Sequence, residues 1–202
     1  ALRDGGFPVG KDFSAAPIAL GGGGGPGLWF KTPDPAAIAQ LANWLQAQKF
    51  VRLVLAPDPA GMPGVLPLAP LGAVHARAPH LAFTFAGSAE PDRYGLSGRC
   101  IIEAADVPEG GGMHGGLHRG ELSTLLALAG PGIHQGAISD TPCDLTDIVP
   151  TILALLGLGH EGCDGVPLAE AWTGAPPAFT RELLAAHAGR TLSLFHARGR
   201  TY

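Results

Sequence analysis

GGGMHGGLHRGELSTLLALAGPG, residues 110–132, and DIVPTILALLGL, residues 147–158, decide how this chain is read. In the first stretch His114 stands between glycines. Small neighbours let the backbone turn tightly and let an ion and a substrate approach the imidazole, which suits metal ligation. The same pattern is met in exposed or capping histidines, and by itself the loop favours that plainer reading. His118 and Glu121 follow in the same segment as candidates to orient a metal ligand by hydrogen bonding, with a plain surface role as the alternative. Ser123 and Thr124 lie in an apolar run without a G-x-S-x-G elbow and are poor nucleophile candidates. The run Leu122–Leu128 is apolar without a helical face and suits a buried strand or a short helix.

Downstream, Asp147 stands at an N-cap position and Pro150 in a first turn that tolerates it. Ile152, Leu155 and Leu156 supply an apolar face, and Gly157 ends a helix that the pattern predicts over Ile148–Leu156. Asp164-Gly165 reads as a turn, Leu168–Trp172 as a short helix and Thr191–Phe195 as a strand, with Gly199 in a hairpin turn. Upstream, the run Gly21–Gly25 lacks the Lys-Ser/Thr of a phosphate-binding loop and reads as a turn before a strand at Leu28-Trp29-Phe30. Asp34-Pro35 opens a helix whose apolar stripe is Ile38, Leu41, Trp44 and Leu45, with Trp44 in the core. Val51–Leu55 and Leu81–Phe85 read as strands, and prolines and glycines between Pro57 and Pro79 predict irregular structure. The alternation of strand and helix gives an α/β or α+β layer in one domain spanning 1–202.

Four blocks in order resemble the C-terminal signature of the type I phosphodiesterase/nucleotide pyrophosphatase family of the alkaline phosphatase superfamily. They are Met113–Leu117 with Glu121, Leu125–Ile133, Asp147–Leu158 and Asp164–Leu168. The resemblance covers Gly110–Trp172 and, more loosely, Leu28–Gly98; where that family has Pro-Asp, this chain has Pro79-His80. It implies an α/β fold, the C-terminal part of an alkaline phosphatase-like domain with a mixed sheet between helices. It also implies two metal ions, usually zinc, and a phosphodiester or pyrophosphate substrate. His114 would ligate one metal, its co-ligands and the Thr or Ser nucleophile coming from elsewhere. No Asp-His dipeptide occurs in the sequence, so on this reading the N-terminal catalytic half lies outside the chain and is its partner. Such a chain is expected to be inactive alone, to expose an apolar face where that half packs, and to form oligomers through that face. The enzymatic alternative is a sulfatase or phosphonate hydrolase of the same superfamily. The alternative of another class is a binding or structural domain without metals.

Composition bounds these readings. A net charge of −4, with thirteen scattered Lys and Arg, offers no basic footprint for a nucleic-acid polymer. A phosphate-bearing substrate would have to be met locally. No apolar run reaches the roughly 18–20 residues of a membrane span. Cys100, Cys143 and Cys163 lack CxxC spacing, which leaves the compartment open; export is what the family resemblance implies. His75, His80, His134, His160, His187 and His196 show no ligand-like spacing and read as structural.

Overall fold

The strand read at Leu28-Trp29-Phe30 forms as β3 of a mixed sheet in a computed structural model that describes residues 1–97, 99, 108, 111–112 and 114–202. The chain divides into two units: Ala1–Thr124 with Ala185–Leu192, and Leu125–Leu184 with Ser193–Tyr202. The first unit contains β1 (Val9–Gly10), β2 (Ile18–Gly21), β3 (Gly27–Phe30), α1 (Pro35–Ala47), β4 (Val51–Ala56), β5 (Leu66–Pro67), β6 (Leu81–Phe85) and α2 (Arg119–Leu122). Its six-stranded sheet runs β1-β2-β3-β6-β4-β5. The β1/β2 and β4/β5 pairs are parallel and the others antiparallel.

α1 starts where the sequence places it. The Asp34 carboxylate accepts from the Ala36 and Ala37 N–H groups at 3.3 and 3.1 Å, and Pro35 occupies the first turn without wasting a donor. Its buried face, Leu41, Ala42 and Leu45, joins Leu28 and Phe30 of β3, Leu81 and Phe83 of β6, and Val54 and Ala56 of β4 in one cluster. Burial of each such side chain is worth about 1.5–3 kcal/mol. Trp44 is half-buried at the edge of this core, stacked edge-on against Phe7 and Phe50.

The sequence reading of residues 57–79 as wholly irregular is corrected by β5 and by a 3₁₀ turn at Ala69–Leu71. Two residues of strand at a sheet edge, one of them proline, carry too little pattern to be seen.

At the other end of β6 a side chain completes the ladder. β6 pairs with β3 only at Gly27 and Leu28. Beyond that point the His80 N–H donates to the Leu28 carbonyl, and the His80 ring Nδ1 accepts from the Phe30 N–H at 3.0 Å. Burial pulls the His80 imidazole below its ordinary value of 6.5. The folded chain therefore binds this proton less readily than the unfolded chain. The contribution is fully present above pH 6.5 and is lost as pH falls below it towards the lower folded value. Melting temperature is expected to decline between pH 7 and 5 less steeply in His80→Asn, whose amide oxygen accepts but does not titrate. An unchanged slope would assign the decline to other groups.

The second unit holds α3 (Ile148–Leu155), α4 (Glu170–Thr173), most of β7 (Thr180–Ala185), the C-terminal part of β8 (Thr191–Ala197), and β9 (Arg200–Thr201). These strands form a sheet in the order β7-β8-β9. The β8–β9 hairpin turns at Arg198-Gly199, both left-handed at φ 52° and 73°, as the reading of Gly199 requires. β7 was not legible. α4 begins two residues later than the pattern suggests, with Leu168 buried ahead of it and Gly174 in the left-handed region after it.

Two expectations of burial are overturned. The run Leu122–Leu128 is α2's last residue followed by irregular chain, and Leu125 is 91% exposed. Consecutive leucines give it apolar atoms on every side and no face to bury. α3 forms, but Ile152, Leu155 and Leu156 are exposed while Pro150 and Thr151 are buried. The helix is apolar nearly all round, so periodicity could not choose its inner face. Leu145, Val149, Ile152 and Leu156, spaced 4-3-4, make an exposed apolar seam. Among the described residues no helix is long and apolar enough to cross a membrane.

Candidate metal-ligand loop

The backbone around His114 is pinned by glycine. The Gly24 N–H donates to the His114 carbonyl at 2.6 Å. A Cβ built at Gly24 would stand 2.5 Å from that oxygen, and one at Gly25 would collide with the Gly115 carbonyl. The glycine run is thus more than the turn read from sequence. Two glycine-rich segments far apart in the chain lie backbone to backbone, a closeness that any side chain would prevent. Gly115, at φ +94°, turns the loop there. The His114 side chain is left exposed.

The next residues fold on themselves. His118 caps α2, its Nδ1 accepting from the Gly120 N–H at 3.1 Å, while the Glu121 carboxylate accepts from the His118 N–H at 3.3 Å. This is a capping box with histidine in the place of serine. The His118 ring lies against Gly87, and the Glu121 carboxylate against Gly116, where a Cβ would collide with it. Both side chains therefore hold the loop that carries His114. With Nδ1 engaged as an acceptor, the neutral His118 ring carries its proton on Nε2.

The structure brings His114, His118 and Glu121 into one loop but does not gather a ligand set. Among the described residues no group of three or more His, Cys, Asp and Glu could hold a metal ion. His114 alone falls short of the four ligands of tetrahedral zinc. Other histidines have local tasks: His75 Nδ1 accepts from the Arg77 N–H, His134 packs on Gly174, His187 on Gly64, and His196 contacts Glu182 and Thr201. Burial raises the Cys143 thiol pKa despite nearby Arg198, which disfavours a thiolate nucleophile.

In the second unit the last two sequence blocks interlock. Asp147, wholly buried, accepts from the Asp144 N–H at 3.1 Å, the Val166 N–H at 2.9 Å and Arg200 at 2.7 Å. Thr151 donates to the Asp147 carbonyl and accepts from the Leu168 N–H. Gly165 lies so close to the Thr146 carbonyl that no Cβ fits. Asp147 thus stands at the N-cap of α3 without capping it by its side chain. The carboxylate instead reaches back to Asp144 and across to 166, because those donors and Arg200 satisfy it in the interior. Arg198, paired with Glu170 and bonded to the Pro142 carbonyl at 2.6 Å, fixes a second loop in the same unit. Sequence reasoning missed both arginines, which follow the blocks without a spacing rule to mark them.

Comparison with protein-family models, with curated proteins and with solved structures finds no match.

Proposed function

We propose that this chain is part of a metal-dependent hydrolase of phosphodiester or pyrophosphate bonds, of the type I phosphodiesterase/nucleotide pyrophosphatase kind within an alkaline phosphatase-like fold. The observation that carries the reading is the pinned HGG loop, which presents the His114 imidazole outward on a backbone fixed by Gly24 and Gly25. Preorganisation of this sort is what a metal ligand needs. The docking of the Asp147–Thr151 block on the Val166–Leu168 block supports it, since residues joined only by their order along the chain prove to be one hydrogen-bonded unit. On this reading zinc is the metal, a small phosphate ester is the substrate, and polypeptide outside this chain supplies the remaining ligands and the nucleophile. The exposed seam of Leu145, Val149, Ile152 and Leu156 suits such a covering partner.

The chain by itself is expected to turn over neither bis-p-nitrophenyl phosphate nor p-nitrophenyl phosphate with added zinc. Zinc-dependent turnover by the pure chain, abolished by His114→Ala, would place the whole active site here and overturn the assignment.

A further inference from the structure

The sheet of the second unit brings three polar side chains into contact, one from each strand: Glu182 of β7, His196 of β8 and Thr201 of β9. His196 and Thr201 are directly opposed in the antiparallel β8–β9 ladder, so their side chains meet on one face. The Thr201 hydroxyl lies 3.1 Å from the His196 Nδ1, and the Glu182 carboxylate lies 3.1 Å from its Nε2. The central strand thus carries an imidazole between a hydroxyl and a carboxylate. The carboxylate only accepts, so Nε2 of the neutral ring bears the proton and Nδ1 accepts from the hydroxyl. That is the arrangement of nucleophile, base and orienting acid that activates a serine or threonine. The three residues lie 14 and 5 apart in the chain, and strand pairing alone joins them.

A cavity of about 330 Å³ opens at this place, lined by Ala178 and by residues 196–201, and therefore by both the hydroxyl-bearing and the imidazole-bearing residue. Its volume lies at the low end of the range for ligand sites, about 300–1,000 Å³, which suits a small molecule. Arg198 and Gly199, left-handed at the hairpin tip, also line it, and among the described residues their N–H groups meet no protein acceptor. They are the donors that the cavity offers to a carbonyl oxygen. The guanidinium groups of Arg198 and Arg200 are committed to Glu170 and Asp147, so a phosphate finds no uncommitted arginine here. A neutral carboxylic ester needs none.

We propose that Thr201, His196 and Glu182 form a hydrolytic site for carboxylic esters of small uncharged acids. Thr201 Oγ1 attacks the carbonyl carbon while His196 Nδ1 takes the hydroxyl proton. As the ester C–O bond breaks, Nδ1 gives that proton to the departing alcohol, which leaves an acyl-threonine. Water, losing a proton to Nδ1, then attacks the acyl carbon; the proton returns to Thr201, and the acid is released. Glu182 is a positioning residue, which holds the Nε2–H and so keeps Nδ1 free to accept. No step uses a metal, so the inference stands or falls independently of the phosphodiesterase reading.

The test is turnover of p-nitrophenyl acetate by the full chain with a chelator present, together with peptide mapping after an acid quench. Saturable release of p-nitrophenolate and an acetyl group on Thr201 are expected. His196→Ala and Thr201→Val should each lower kcat/KM by about 100-fold or more, and Thr201→Ser, which keeps the hydroxyl, should restore it. Glu182→Gln should lower kcat by about tenfold or more and leave KM in place, a split that loss of structure alone would not give. Thr201 is exposed, and the His196 and Glu182 side chains are 38% and 54% exposed, so these variants should fold. If one does not, the acetyl group trapped on the unaltered chain still decides. Release no faster than with free imidazole at the same concentration, acetyl on a residue other than Thr201, or turnover unchanged in Thr201→Val would each overturn the proposal.

Discussion

His114→Ala, made in protein that carries the complete ligand set, is expected to lower phosphodiester turnover by more than about 100-fold while moving the melting temperature by less than about 2 °C. Loss of a partner that merely orients a ligand typically costs about 10- to 100-fold, and a lost ligand should exceed that. The small thermal effect follows from geometry. What binds the loop to Gly24 is the His114 carbonyl, which the substitution keeps, and the side chain is exposed. Exposed substitutions usually stay within about 0.5 kcal/mol, and in a chain of this size about 1 kcal/mol corresponds to roughly 2–4 °C. His118→Ala should behave in the opposite way. It removes the acceptor of the Gly120 N–H, a cap worth about 1 kcal/mol, and touches activity less. Metal content by mass spectrometry, thermal melting and turnover of bis-p-nitrophenyl phosphate separate the two. If His114→Ala keeps two metals and near-normal turnover, the loop is structural and the assignment of His114 is wrong.

Legibility followed how local the deciding interaction was. α1 could be read because Asp34, Pro35 and the stripe of Leu41 and Leu45 lie within a dozen residues, and the β8–β9 turn because Gly199 supplies a left-handed residue where a two-residue hairpin needs one. β7 could not, since Thr180–Ala185 mixes helix-forming Arg, Glu and Leu with exposed positions and owes its strand state to its neighbour β8. α3 was legible as a helix and not in its orientation. Its inner side is set by Thr151 bonding to Leu168, a polar contact that hydrophobic periodicity ignores. At the candidate site, His114 is a candidate through the order of the four blocks and not through its glycine neighbours alone, and the reason for those glycines is hidden in the sequence. Gly24 and Gly25 meet the loop only in three dimensions, and a run of five glycines gives no hint of its partner. His118 and Glu121 were seen as supporting residues, but as supports of a ligand; the structure uses them to cap α2, an arrangement whose spacing was available in the sequence.

The interlocked blocks of the second unit give the largest stability effect. Asp147→Ala is expected to cost about 3–5 kcal/mol, the usual result of removing one member of a buried ion pair. The carboxylate is wholly buried and serves three donors, two of them the backbone N–H groups of Asp144 and Val166, which lose this acceptor once it is gone. Arg200 is less committed: its side chain is 23% exposed and also lies 3.7 Å from Asp144, so it can turn to solvent. The penalty should therefore come chiefly from the backbone donors, and Arg200→Ala should cost less than Asp147→Ala. Thr151→Val removes the acceptor of the Leu168 N–H and should cost about 1–3 kcal/mol. Because Asp147 and Thr151 hold the same segment, 166–168, their combined loss should be smaller than the sum of the two, by about 0.5 kcal/mol or more. Trp172 is the one tryptophan of this unit, so its fluorescence in a Trp29→Phe, Trp44→Phe background follows the unfolding of these blocks in urea. A cost below about 1 kcal/mol for Asp147→Ala would mean that water reaches the freed donors and that the two blocks are held together by something other than this carboxylate.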